Sequence, residues 1–205
     1  AELTEALSMA VDHLSAYQLT IEPGTAFGAR HAKGGLKGLP DDDMSADMYL
    51  DTQEICAAAG MPTYEISNHA RPGAESRHNL VYWRQGDWAA VGPGAHGRLT
   101  LDGVRTATVA HRRIADYVSG VASGAPWSDR EALSPRDAAE ERLLLGLRTT
   151  EGAPAALLKA LDLSGEDGPV ADLVAEGFLT MRAGRLIATP RGRPVLDGVL
   201  KALLT

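Results

Sequence analysis

Apolar residues recur along the chain in short runs whose rhythm changes from helical to strand-like, and the polar breaks between them predict most of the elements. Leu3, Leu7, Met9 and Val11 alternate with acids and predict the end of a helix over 2–12. His13 to Ile21 is rich in apolar and β-forming residues and predicts a buried strand, stopped by Glu22-Pro23-Gly24-Thr25. A Gly- and Lys-containing loop is expected up to Pro40. Asp41-Asp42-Asp43 then places carboxylates at a helix N-terminus, where the macrodipole favours them. Met44, Met48, Leu50 and Ile55 supply the apolar stripe of that helix, and Gly60 its stop. Pro62 to Ser67 predicts a second strand, so residues 13–67 read as a βαβ-like unit. A chain that opens without Met, inside such a unit, reads as a fragment of a longer protein.

The second half is punctuated more sharply. Residues 68–86 are loop-rich with one aromatic cluster, and Trp88–Val91 reads as a short strand before Gly92-Pro93-Gly94-Ala95-His96-Gly97. Asp102-Gly103 predicts a hairpin turn between 98–101 and 104–108. A helix over 111–122 and a linker over 123–129 follow. Ser134-Pro135 combines an N-cap with Pro at the first helical position and starts a helix over 135–148. Two more helices are expected over 153–161 and 168–176. Residues 178–181 and 185–188 form a hairpin about Ala183-Gly184, and Thr189-Pro190 repeats the capping signature before a last helix to Leu204. The expected fold is α/β over residues 1–108, followed by a mostly helical, winged-helix-like domain over 109–205.

Composition narrows the partners. With 27 acidic and 20 basic residues the net charge is −7, which repels nucleic acid and anionic membranes. The candidate recognition helix, 168–176, offers Asp172 and Glu176 but no Lys or Arg, although Arg182, Arg185, Arg191 and Arg193 cluster near the hairpin. A DNA-binding reading is therefore disfavoured. No apolar run approaches the ~18–20 residues of a membrane span. The N-terminus has neither the basic nor the apolar region of a signal peptide, so a cytoplasmic location is expected. Cys56 is the sole cysteine. It can form no internal disulfide, and an iron–sulfur cluster needs about three or four thiolates.

The chemistry concentrates in Arg77-His78-Asn79-Leu80-Val81-Tyr82-Trp83-Arg84. A haem site needs a neutral imidazole for iron, flat apolar walls for the macrocycle and cations for the propionates, and this octapeptide contains all three. If it is helical, His78 and Tyr82 share a face; if extended, His78, Leu80 and Tyr82 share one and Trp83 the other. A surface His beside a packed Tyr–Trp pair is the plainer reading. His69 is a second ligand candidate, and His96 ends the glycine block as a packed loop residue or a cavity-facing one. His31 and His111 read as solvated, Glu22 and Glu65 as capping or surface carboxylates rather than an acid–base pair, and Trp88 and Trp127 as packing residues.

His78-Asn79-Leu80-Val81-Tyr82-Trp83 resembles the H-N-x-x-Y-W motif of the haem-chaperone branch of the oxygen-independent coproporphyrinogen III oxidase family, a radical-SAM family. Three further blocks resemble that family in order: His13 to Thr25, Tyr64-Glu65-Ile66-Ser67-Asn68, and Gly92 to Gly97. The resemblance implies that the first domain is the closing portion of a partial (β/α) barrel with a small mixed sheet. It implies His78 as axial ligand to haem iron with Tyr82 and Trp83 shaping the pocket; charge and proximity add Arg77 and Arg84 for the propionates. Backbone near Thr20, Gly94, Ala95 and His96 is expected to lie near S-adenosylmethionine in a complete protein. The [4Fe-4S] cluster of the family binds C-x-x-x-C-x-x-C, a motif absent here, so this chain alone is expected to be enzymatically inactive. The implied function is haem delivery to acceptor proteins, some of which could be membrane-associated. The alternative is oxidative decarboxylation of coproporphyrinogen III in porphyrin biosynthesis, and a third is a partner-binding role for the C-terminal domain. Strand edges left open by a partial barrel favour a homodimer.

Overall fold

Helix α1 (Glu2–Met9) and strand β1 (His13–Ser15) open the chain in a computed structural model that describes residues 2–204. The Thr25 hydroxyl accepts from Gly28 N at 3.0 Å and starts α2 (Ala26–Ala32), and Asp41 accepts from Met44 N at 2.9 Å to start α3 (Asp42–Ala58). Gly60, at φ 76°, closes α3, and β2 (Asn68–Ala70) pairs antiparallel with β1, His13 opposite Ala70. Each cap satisfies a donor that the first helical turn leaves orphaned.

This arrangement corrects several expectations. The strand expected over 13–21 stops at Ser15 and is not buried: Tyr17 and Leu19 are largely exposed. Beyond Ala16 N, which donates to Ser67 O at 2.8 Å, no ladder continues among the described residues, and an extended backbone without a neighbour forms no strand. The second strand falls at 68–70 rather than 62–67, and its antiparallel pairing replaces the parallel pairing of a βαβ unit. The loop expected before Pro40 contains α2, because Thr25 caps where only a turn was foreseen. The stripe of α3 faces outward at Met44, Met48 and Leu50; its buried residue is Cys56.

The chain divides into two compact units, one ending at Glu75 and the other beginning at Ser76. The first buries Cys56, Met61, Tyr64 and Ala70 together with Glu65, Asn68 and His69. Its interior therefore mixes apolar and polar residues and is held in part by hydrogen bonds: His13 Nε2 with the Tyr64 hydroxyl at 2.9 Å, Ser15 Oγ to Asn68 Oδ1 at 2.5 Å, and the Asn68 amide to Glu65.

The second unit begins with α4 (Arg77–Trp83), followed by β3 (His96–Leu101), β4 (Val104–Ala110), α5 (Ile114–Ala122) and β5 (Trp127–Ala132). Then come α6 (Pro135–Gly146), β6 (Ala153–Pro154), α7 (Leu157–Ala160) and α8 (Pro169–Ala175). Strands β7 (Leu179–Arg182) and β8 (Arg185–Ala188) and helix α9 (Leu196–Leu204) complete it. The sheets run β3-β4-β5 and β6-β8-β7, and every ladder among the described residues is antiparallel. The expected hairpins form, with Asp102 and Gly103 at φ 50° and 78° and Ala183 and Gly184 at 49° and 72°. The expected boundary after residue 108 falls inside β4. The expected linker over 123–129 instead runs into β5, which pairs with β4, and the helix expected over 153–161 begins with β6 and shortens to 157–160.

Ser134 and Asp137 close a capping box that starts α6, and Leu143 of this helix and Leu147 at its C-cap are fully buried, in a core that also holds Leu158, Leu179, Leu186, Leu196 and Leu200. Burying each such leucine stabilises by roughly 1.5–3 kcal/mol. Gly152, at φ 72°, lies where a Cβ would strike the Leu186 carbonyl, which lets the turn after α6 lie directly on the sheet.

Candidate functional site

Helix α4 begins where the Ser76 hydroxyl accepts from Asn79 N at 3.3 Å, and its helical pitch settles which residues of the octapeptide meet. His78 and Tyr82 share a face: the Tyr82 hydroxyl lies 3.1 Å from His78 Nε2, and the rings meet edge to face at 4.9 Å. His78 is exposed, and its Nδ1 lies 3.3 Å from Asn79 Oδ1. Tyr82 in turn packs edge to face on Trp88 at 4.7 Å, so an aromatic row runs from the imidazole into the unit.

Trp88 is fixed from behind. Its Nε1 donates to the His96 carbonyl at 2.9 Å, and the guanidinium carbons of Arg98 and Arg105 lie 5.9 and 5.6 Å from its ring centroid. Both arginines face Glu141 of α6, with Arg98 Nη2 at 2.8 Å and Arg105 Nε at 3.7 Å, and Gln85 Nε2 donates to the same carboxylate at 2.9 Å. Burial pushes the Glu141 carboxyl up, but the hydrogen bonds from Arg98 and Gln85 and the charges of Arg98 and Arg105 outweigh it and hold it low. Asp87 is also held low, first by the backbone N–H of Thr100, then by the Thr100 hydroxyl and Arg105. The sequence reading foresaw Trp88 only as packing and passed over Arg98, Arg105 and Glu141. The signal was present: the Asp102-Gly103 turn pairs Thr100 with Arg105 and Arg98 with Ala107, which puts both arginines on one sheet face.

The other expected site residues lie elsewhere. Trp83 and Arg84 turn away from His78 and line a cleft of about 200 Å³ with Arg142, Glu151 and Arg185. There Arg84 makes a two-point ion pair with Glu151 and holds that carboxyl low. Arg77 is exposed one residue before His78. Gly94 N donates to His111 O at 2.9 Å, Ala95 N to Gly92 O at 3.2 Å, and Gly92 N to the Tyr117 hydroxyl at 3.0 Å, so these amides are engaged internally. The His96 side chain is exposed. Thr20 is exposed in the first unit, beside a cavity of about 680 Å³ lined by Leu19, His31, Tyr49 and Gln53. His69 is buried in β2 opposite Leu14, out of reach of solvent.

Burial pushes the Cys56 thiol up, which disfavours a metal-binding thiolate. Among the described residues no group of three or more His, Cys, Asp and Glu could hold a metal ion. With one cysteine the residues present do not fit an iron–sulfur cluster. No helix among the described residues is long and apolar enough to cross a membrane.

Residues 133–195 match the family model described as the HemN C-terminal domain. The chain is 38% identical to heme chaperone HemW of Mycobacterium tuberculosis over 97% of its own length and 49% of that protein's. It is 34% identical to heme chaperone HemW of Escherichia coli, covering 99% of this chain and 52% of the relative. A third relative is the mouse radical S-adenosyl methionine domain-containing protein 1, mitochondrial, at 36% identity over 94% of this chain and 46% of its own. The fold also matches Escherichia coli coproporphyrinogen III oxidase (HemN), a radical SAM enzyme, with a TM-score of 0.70 at 18% identity over 99% of this chain and 50% of that one. The chain spans about half the length of the curated relatives it matches. Residues 133–195 thus carry the HemN C-terminal domain, and along almost its entire length the chain is similar to about half of the haem chaperones named HemW.

Proposed function

We propose that this chain carries the haem-contacting part of a cytoplasmic haem chaperone, with His78 as the axial ligand to the iron. The observation that carries this reading is the exposed His78 imidazole standing at the end of the Tyr82–Trp88 aromatic row. A neutral imidazole is a good iron ligand, and the edge of an aromatic row offers an apolar wall to a flat macrocycle. Arg77, beside His78 and exposed, is the cation best placed for a propionate; Arg84 is committed to Glu151 and would have to leave it. Haem is the cargo, and its delivery to an acceptor protein is a property of the whole protein, as is any step that uses S-adenosylmethionine. The helices and hairpin from α6 onward, read as a winged-helix-like order, supply a platform for docking that acceptor.

Haem titrated into the wild-type chain is expected to give a saturable, shifted Soret band, and His78→Ala to weaken affinity by at least about tenfold, as loss of a metal-site residue typically does. An unchanged titration in His78→Ala would remove His78 from the site. A protoporphyrinogen product from coproporphyrinogen III in the complete protein would favour the oxidase over the chaperone.

A further inference from the structure

His78 presents an imidazole whose Nε2 already has a partner. Asn79 Oδ1, which can only accept, lies 3.3 Å from Nδ1; in the tautomer this contact selects, Nε2 carries the lone pair and the Tyr82 hydroxyl, 3.1 Å away, is its donor. That lone pair is the one an imidazole in this tautomer gives to iron. Tyr82 cannot swing away freely. Its ring is clasped between the His78 edge and Trp88, and Trp88 is fixed by the His96 carbonyl and by two arginines that Glu141 holds. The hydroxyl therefore stays within reach of Nε2 and can reclaim that nitrogen whenever another group leaves it. A single hydrogen bond on an exposed face is modest in strength, which suits a competitor and not a permanent block.

We propose that the Tyr82 hydroxyl is a built-in competitor for the His78 Nε2 lone pair and so sets how readily an iron porphyrin leaves this chain. The proposal rests on His78 as the axial ligand. Tyr82 bears on the iron through His78, and Trp88 and Glu141 are positioning residues that hold Tyr82 in place. The competition costs affinity at equilibrium but speeds release, which a carrier that must hand over its cargo requires.

Tyr82→Phe keeps the ring and its packing while deleting the hydroxyl. Two readouts are taken on the full chain, with near-ultraviolet circular dichroism to verify that the aromatic packing survives. The first needs no haem: diethylpyrocarbonate acylation of His78, followed by peptide mass analysis, is expected to run faster in Tyr82→Phe because Nε2 is uncovered. The second is the rate of haem transfer to excess apomyoglobin, expected to be about two- to tenfold slower in Tyr82→Phe, the span one net hydrogen bond covers. Unchanged acylation would overturn the proposal, since the hydroxyl would then not cover Nε2. Faster haem loss from Tyr82→Phe would also overturn it, by making the hydroxyl a contact to the cargo. Faster acylation with unchanged transfer overturns the competition; if His78→Ala also transfers at the wild-type rate, the fault lies in the axial-ligand reading and not in the cap.

Discussion

The two units solve the problem of burying side chains in opposite ways. The unit that ends at Glu75 leaves Met9, Val11, Tyr17, Leu19, Met44, Met48 and Leu50 at least half exposed and buries Glu65, Asn68 and His69 beside a small apolar set of Cys56, Met61, Tyr64 and Ala70. The unit that begins at Ser76 seals a leucine interior between α6, α9 and the β6-β8-β7 sheet. Apolar residues are plentiful in both. The difference is layering: a helix and a sheet stripe bury each other only when each meets a second layer, and α3 offers its stripe to solvent. Stability should therefore respond to core substitutions in the second unit and hardly at all to the exposed stripe of the first.

The largest expected effect is Leu143→Ala. Its side chain is fully buried, and its loss should destabilise the second unit by about 2–5 kcal/mol. Met48→Ala, at a position 55% exposed, should change stability by less than about 0.5 kcal/mol. All three tryptophans lie after Ser76, so urea unfolding followed by tryptophan fluorescence reports the second unit, and circular dichroism reports both. Equal losses in the two variants would break the contrast.

A smaller effect is expected at the start of α6. Ser134→Ala removes the hydroxyl that accepts from Asp137 N at 3.1 Å and should cost about 1 kcal/mol in the same fluorescence experiment. A Ser134→Gly variant should lose only a few tenths of that unit.

The smallest effect is on acid sensitivity. Asp87, Glu141 and Glu151, all in the second unit, are held below their ordinary values when folded. The unfolded chain binds their protons more readily, so their contribution is present above the ordinary glutamate value of 4.5 and is lost as pH falls below it. The fluorescence-detected urea midpoint should drop on acidification through that window, and Glu141→Gln should flatten the drop. An unchanged slope in Glu141→Gln would remove this carboxylate from the balance.

Much of this was legible in the sequence wherever a residue type has one structural use. Ser134-Pro135, Asp102-Gly103 and Ala183-Gly184 each fall where expected, because capping and left-handed turns admit few residues. Strand β5 was not legible: Trp127-Ser128-Asp129-Arg130-Glu131-Ala132 has no apolar alternation, since both its faces are exposed and its pairing with β4 runs mainly through the backbone. Strand 13–21 failed in the opposite sense, with the right residues but no neighbour past Ser15. At the candidate site the i, i+4 meeting of His78 and Tyr82 was readable once a helix was assumed. Glu141 was not, because it reaches Arg98 across more than forty residues of chain, a proximity only the folded packing of α6 creates.

Strand β5 also bears on how the protein behaves in a crowded solution. It forms one rim of the β3-β4-β5 sheet, and a bare rim invites another molecule's strand to add itself and begin a polymer. Asp129, Arg130 and Glu131 are exposed on that rim with alternating charge. An incoming apolar strand would have to strip hydration from these groups in order to dock. Replacing Asp129 and Glu131 by valine would leave the fold's interior untouched and turn that rim into a nucleus for insoluble aggregates.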